Sequence, residues 1–333
     1  MICLPVSESS HVAETRRKAV GVGQAIGMDE TACGRIALIV TELATNLIKH
    51  AGGGVILVGA DEHSGEPVLD ILSLDRGAGM PSVEQCMQDG YSTSGSPGTG
   101  MGAILRQAHD LDILSLSERG SAIYVRALNG RLPSEQSIER APFGAVSLPK
   151  HGELANGDAW AAAGTEGQRS YLVVDGLGHG PLAAEAARAA VHEFKRCSAA
   201  RPAEILANIH RALRPTRGAA VSVARTEEGR DTIVFAGIGN VSGAILTGND
   251  VRKTVSRNGT AGHQVQRIQE YEYPFHSDSR FVMYSDGLLS SWSIDPYPGL
   301  MSRHPTLVAG VLYRDFKRER DDITVLVAER EFS

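Results

Sequence analysis

The chain has 333 residues, 42% hydrophobic and 22% charged, which is long and apolar enough for two domains with separate cores. A formal net charge of −6 and a pI near 6.0 exclude the basic face that nucleic acid or an anionic membrane requires, leaving small molecules and proteins as partners. No apolar run approaches the roughly 20 residues of a membrane span, and Met1 to His11 lacks the basic and apolar regions of a signal peptide, so the expected location is the cytoplasm. Cys3, Cys33, Cys86 and Cys197 show no CxxC spacing, which argues against a zinc site or a disulfide framework.

His11 to Ile26 carries a weak helical pattern and Asp29 to His50 a strong one, with Asp29 as N-cap and Gly52-Gly53-Gly54 as the stop. Ile36, Ile39, Val40, Leu43 and Leu47 form one stripe, and Glu42 and Asn46 lie together on its flank. Taken alone that pair is a solvated helix edge. Val55 to Ala60 and Val68 to Leu74 read as a hairpin, the second run ending in Asp75-Arg76-Gly77-Ala78-Gly79-Met80. A strand-end Asp75 can accept a hydrogen bond from an exocyclic amine, and Gly77 and Gly79 let backbone approach a flat ring. Tyr91 to Gly102, YSTSGSPGTGMG, precedes the helix-like Ala103 to Ala108. Glycine-rich backbone entering a helix N-terminus suits a phosphate, because free N–H groups and the helix dipole favour an anion there.

The order TELATNLIKH, DRGAGM, GTGMG resembles the N, G1 and G2 boxes of the GHKL ATP-binding fold, and its wording is similar to the RsbT-type switch serine kinases, over roughly residues 8 to 128. The resemblance implies Glu42 as general base, Asn46 as Mg²⁺ ligand and Asp75 as adenine reader. It also implies nucleotide contacts at Gly77, Gly79, Gly98, Thr99, Gly100, Met101 and Gly102. Lys49 and His50 receive no firm role.

Polar, unpatterned sequence at 131–140 separates residues 1–130 from 141–333. Beyond it, Ala145 to Leu148, Asp158 to Ala163 and Ser170 to Val174 read as strands. An alanine-rich helix after Pro181 has Leu182, Ala186, Ala190, Val191 and Phe194 on its inner face, and a second helix lies near Ala203 to Leu213. Ala219 to Arg225, Thr232 to Ile238, Ser242 to Leu246 and Arg280 to Ser285 follow as strands, for two layers flanked by helices. Asp158, Asp175, Asp286 and Asp322 each end an apolar run or occupy a tight turn. Singly each is a turn residue; as a converging set they repel and require a divalent cation, and oxygen-only ligands select Mg²⁺ or Mn²⁺.

NGDAW, DGLGHGPLAAEAA, AGIGNV, YSDGLLSSW and RERDDITVLVAE resemble the SpoIIE and RsbX group of PPM (type 2C) serine/threonine phosphatases. The resemblance implies an αββα sandwich holding two metals, Mn²⁺ or Mg²⁺, with Asp175 bridging them and Asp158, the Gly176 carbonyl, Asp286 and Asp322 completing the shells. Asp321 is the alternative to Asp322. His179 can be read as a general acid or a surface residue; His263 and His276 have weaker claims.

The expectation is an α+β chain of two domains, a GHKL α/β sandwich (Bergerat fold) binding ATP with Mg²⁺ and a PPM phosphatase. Together they would act in partner switching on a STAS-type, anti-anti-sigma-like phosphoprotein, with a sigma factor or other switch protein as a further partner. The alternative is an ATP-binding module that sequesters a partner and regulates the phosphatase without kinase activity.

Overall fold

The computed structural model describes residues 1–61, 65–87, 100–130, 141–165, 167–248 and 250–330, so 131–140, Gly98 and Thr99 lie outside the described residues. Its contacts separate two compact units, Met1–Ala141 with Ser302–Arg314, and Pro142–Met301 with Asp315–Ser333.

The first unit contains β1 (Ile2–Val6), α1 (Ser9–Ala25), α2 (Glu30–Ala51), β2 (Gly54–Ala60), β3 (Val68–Leu74), the short α3 (Val83–Cys86), α4 (Gly100–Gln107), β4 (Asp110–Leu116) and β5 (Gly120–Leu128). Its strands form an antiparallel sheet in the order β1-β2-β3-β5-β4. α2 starts where the sequence indicates: Asp29 Oδ1 accepts the Ala32 N–H at 2.7 Å, a cap contributing about 1 kcal/mol. It stops at Gly52, whose φ of 68° suits glycine. The stripe Ile36, Ile39, Val40, Leu43 and Leu47 is buried against Leu69, Ile71, Ile123 and Val125 of the sheet. Each such side chain contributes about 1.5–3 kcal/mol. With 22 residues α2 is also long and apolar enough to cross a membrane, contrary to the expectation that no stretch approaches that length, and here it is the core helix of this unit.

The second unit contains β6 (Phe143–Leu148), β7 (Asp158–Thr165), β8 (Gln168–Gly176), α5 (Pro181–Cys197), α6 (Pro202–Ala212), β9 (Ala219–Glu227), β10 (Thr232–Ile238), β11 (Ser242–Thr247), β12 (Asp250–Lys253), β13 (Tyr271–Pro274) and β14 (Ser279–Tyr284). After α7 (Pro305–Phe316) it is completed by β15 (Ile323–Glu329). Two antiparallel sheets result, β13-β10-β9-β8-β7 and β12-β11-β14-β15-β6. They meet face to face through Tyr171, Val173 and Phe235 of one and Phe281, Met283 and Leu326 of the other. α5 and α6 cover the far side of the first sheet, where Ala186, Ala190, Phe194, Ile205 and Leu206 pack on Leu172 and Val174. Leu182, expected on the inner face of α5, is 49% exposed; Ala183 and Ala187 take the buried phase instead. α7 had no counterpart in the sequence reading, and its residues Pro305–Arg314 are buried and belong with the first unit.

Candidate functional site

In the second unit, β7 and β8 pair so that Asp158 lies directly opposite Asp175. Side chains alternate along a strand, so burying Tyr171 and Val173 between the sheets turns Asp175 toward the same face, at its end. On the other sheet, Tyr284 pairs with Val325, which brings Asp286, just after β14, beside Asp321 and Asp322, just before β15. Ser285 ties the two sheets together. Its N–H donates to Thr324 O at 3.0 Å, and its hydroxyl donates to Asp158 Oδ2 at 2.5 Å while accepting the Thr324 N–H at 2.9 Å. Close approach explains both Asp-Gly pairs. A Cβ on Gly176 would sit 2.3 Å from Ala183 O, and one on Gly287 would sit 2.0 Å from Asp322 O.

The adjacent aspartates at the start of β15 have different surroundings. Asp322 Oδ1 accepts the Lys150 N–H at 2.8 Å and Oδ2 accepts the Gly157 N–H at 3.1 Å, so this carboxylate anchors the β6–β7 connection. Asp321 instead lies against Asp286, whose proton affinity it raises, and repels Asp175. Asn240, in the AGIGNV turn, donates to Asp286 Oδ2 at 2.7 Å. Arg318, whose N–H donates to Gly287 O at 2.7 Å, is the cation that partly offsets the charge around Asp286. Sequence reasoning assigned no role to Asn240, Ser285 or Arg318, although all three sit in or beside the quoted motifs.

Burial, then the charges of Asp286, Asp321 and Asp322, push the Asp175 carboxyl up to about 7. Asp158 is raised well above the carboxylate range by burial and then by Asp175. Burial followed by Asp321 raises Asp286; burial raises Asp322 against the opposing pull of its two backbone donors. Buried carboxylates that raise one another's proton affinity form an arrangement that a divalent cation stabilises. Among the described residues no three ligand-type side chains converge into a single-ion cage. Such a cage is not needed for Mg²⁺, which is commonly held by one or two carboxylates with water filling its other positions. The residues therefore fit Mg²⁺ or Mn²⁺.

Of the three histidines, His179 lies near enough to the cluster to favour the charged form of Asp322. His179 Nδ1 lies 3.0 Å from Glu153 Oε1 on an exposed loop, His263 Nε2 lies 2.9 Å from Arg217 O, and the His276 N–H donates to Ser279 Oγ in a turn.

In the first unit, Glu42 and Asn46 are half-buried on α2, one turn apart. The start of α4 meets them: a Cβ on Gly100 would come within 2.6 Å of Glu42 Oε2, and Asn46 Nδ2 lies 3.6 Å from Met101 Sδ. Asp75 Oδ1 accepts the N–H groups of Gly77 at 2.8 Å and Ser121 at 3.1 Å, which fixes the carboxylate plane at the end of β3. Gly77 and Gly79 are required by the chain's own packing, since a Cβ would lie 2.8 Å from Ala51 Cα at the first and 2.4 Å from Leu116 O at the second. Lys49 and His50 are exposed near the end of α2.

Comparison with known proteins finds two separate matches along the chain. Residues 6–127 match the family model of the histidine kinase-like ATPase domain, and residues 165–331 match that of Stage II sporulation protein E (SpoIIE). The chain is 28% identical over 121 residues to the serine/threonine-protein kinase RsbT of Bacillus subtilis (strain 168), covering 36% of this chain and 91% of RsbT. A chain from the solved structure "The bacterial stressosome: a modular system that has been adapted to control secondary messenger signaling" is 26% identical with a TM-score of 0.53, covering 56% of this chain and 98% of its own. The chain belongs to the SpoIIE family: a PPM-type protein serine/threonine phosphatase fused to an RsbT-like GHKL ATPase domain, the parts of a partner-switching regulator.

Proposed function

We propose that this protein sets the phosphorylation state of a STAS-type regulator, removing phosphate from serine or threonine at one unit and adding it at the other. The observation that carries the phosphatase half is the convergence of Asp158, Asp175, Asp286, Asp321 and Asp322 at one end of the stacked sheets, with Asp175 raised to about 7. Two Mn²⁺ or Mg²⁺ ions would be held by Asp175, the Gly176 carbonyl, Asp158, Asp286 and the Asp321–Asp322 pair. We assign the ion-facing role to Asp321 and the anchoring role to Asp322, because both oxygens of Asp322 already accept backbone N–H groups. When bound, the ions supply charge neutralisation and an activated water for in-line displacement at phosphorus. Around them Ser285 orients Asp158, Asn240 orients Asp286, and Arg318 presents a guanidinium to the incoming phosphoester.

In the first unit ATP would bind with Mg²⁺. Asp75 Oδ2 would accept the adenine amine, Asn46 would hold the ion, and Glu42 would take the proton from the acceptor hydroxyl. Gly77 and Gly79 with Gly98, Thr99, Gly100, Met101 and Gly102 contact the nucleotide. The similarity to RsbT supports transfer to serine, and the stressosome neighbour supports a STAS partner with a sigma factor or other switch protein downstream. ATP use and four unbridged thiols suit the cytoplasm. The test is to incubate purified protein with the STAS protein encoded nearest this gene. ATP with Mg²⁺ should phosphorylate the partner and Mn²⁺ without ATP should release the phosphate. Glu42→Ala separates transfer from sequestration: it should abolish phosphorylation while leaving partner binding intact. A wild-type protein that binds the partner without phosphorylating it would favour sequestration.

A further inference from the structure

The first unit contains a piece of chain from far outside its own sequence half. Ser302–Arg314 lies within that unit, while Met301 before it and Asp315 after it belong to the other. The seven residues of β3 are all buried, which requires cover on both faces of the sheet. Leu69 and Ile71 face α2, and Leu72 and Leu74 face the opposite way, where Gly310 of α7 meets them. A Cβ on Gly310 would lie 3.2 Å from Leu72 and 3.3 Å from Leu74.

The start of α7 is fixed by Asp112 of β4, whose carboxylate accepts the His304 N–H at 2.5 Å and Arg303 Nη1 at 3.1 Å. The His304 ring stacks on Tyr124 with centroids 4.0 Å apart and planes 14° from parallel. Near the other end, Arg314 is 7% exposed, and its Nη1 donates to Asp75 O at 2.7 Å and to Ser121 O at 3.3 Å. The Arg76 guanidinium in turn donates to Arg314 O. These carbonyls belong to the same two residues that set the Asp75 carboxylate, since the Ser121 N–H is one of the two donors to Asp75 Oδ1. One buried cation from α7 thus clamps, from behind, the backbone that aims Asp75.

We propose that Arg314 is a positioning residue of the nucleotide site, so that adenine recognition by the N-terminal unit depends on a helix encoded inside the phosphatase half. This rests on the reading of Asp75 as the acceptor of the adenine amine. Arginine suits the task because its Nη1 reaches two carbonyls at once, whereas a neutral side chain of similar length would leave the Asp75 oxygen without this donor and the Ser121 oxygen with the Asp75 N–H alone.

The test uses the full chain with Mg²⁺ and two nucleotides, ATP and ITP, which lacks the exocyclic amine. Wild-type protein should bind ATP at least about tenfold more tightly than ITP, as expected where a site built to pair with an amine meets a ligand lacking it. Arg314→Met should weaken ATP binding roughly tenfold and ITP binding by less than about threefold, collapsing the preference, and Arg314→Lys, which keeps the charge but not the reach of the guanidinium, should restore it only in part. A fall in the folded fraction would lower binding capacity for both nucleotides alike, so the ATP-to-ITP ratio separates positioning from misfolding. Gly310→Val, which wedges α7 from Leu72 and Leu74, should shift the ratio in the same direction. Folded Arg314→Met that keeps the wild-type ratio overturns the inference. Wild-type protein that binds neither nucleotide overturns the nucleotide reading itself, and this inference with it.

Discussion

Replacing Asp175 by asparagine should have opposite effects on stability and on function. In metal-free protein the Asp175 carboxyl is pushed up to about 7 by burial and by Asp286, Asp321 and Asp322. The same group in the unfolded chain ionises near 3.9. Between those values the folded state keeps a proton that the unfolded state has lost, so stability falls as pH rises. The penalty is absent below about pH 4 and complete above about pH 7. A displacement of about three pH units corresponds to about 4 kcal/mol, an upper bound because Asp158 and its neighbours titrate together with Asp175. Asp175→Asn removes one charge from the cluster. Metal-free variant at pH 8 should therefore melt higher than wild type, by about 5–10 °C for a unit of this size, and the gap should close toward pH 4. Added Mn²⁺ should raise the wild-type transition and flatten its pH dependence, while the variant gains little and hydrolyses no phosphoester. Scanning calorimetry of the full chain in EDTA or Mn²⁺ at several pH values reads all of this. A variant that melts lower than wild type in EDTA at pH 8, or a wild-type transition indifferent to both pH and Mn²⁺, would refute the electrostatic argument.

The two aspartates at the start of β15 should separate by phenotype. Asp321→Asn should cost Mn²⁺ affinity by calorimetric titration while raising metal-free stability at pH 8, because it relieves repulsion on Asp175 and Asp286. Asp322→Asn should destabilise the fold by roughly 1–3 kcal/mol in denaturant titrations, because two backbone N–H groups lose a charged acceptor. Arg318→Ala should raise KM for a phosphorylated substrate more than it lowers kcat in initial-rate measurements, since the guanidinium is assigned to binding. Gly287→Ala should give one of the larger single-residue losses of stability, measurable as a lowered denaturation midpoint, because its Cβ would lie 2.0 Å from Asp322 O.

Much of this architecture was legible because periodicity and punctuation agree locally. α2 has a capping aspartate, an unbroken stripe and a glycine stop, and its observed bounds differ from the expected ones by a residue at each end. β3 and β10 fall where the apolar runs fall. β1 was not legible: it is five residues long, contains Pro5, and is a strand only because β2 supplies its partner. α7 was hidden differently. Its apolar residues are spread around most of its circumference, so no amphipathic stripe marks it, and nothing in the local sequence indicates that Gly310 packs on Leu72. The aspartate cluster proposed to hold metal was readable as a set of strand-end residues because each sits beside glycine or a turn. What distinguishes Asp321 from Asp322 is which backbone N–H groups lie within reach, and Lys150 and Gly157 are remote in sequence. Arg314 illustrates the same limit, as its acceptors at Asp75 and Ser121 are about two hundred residues away.

The central claim, that one chain both removes and adds phosphate on a STAS-type regulator, is tested most directly by following one phosphoserine. The STAS protein encoded nearest this gene, isotopically labelled on its phosphoserine, is mixed with the full chain in Mn²⁺ and then chased with ATP and Mg²⁺. The account expects label to appear as inorganic phosphate in wild type and Asp175→Asn to release none. It also expects the chase to rephosphorylate the same serine unless Glu42 is replaced by alanine. Label that stays on the partner with wild-type protein, or a serine that ATP never refills, would contradict it.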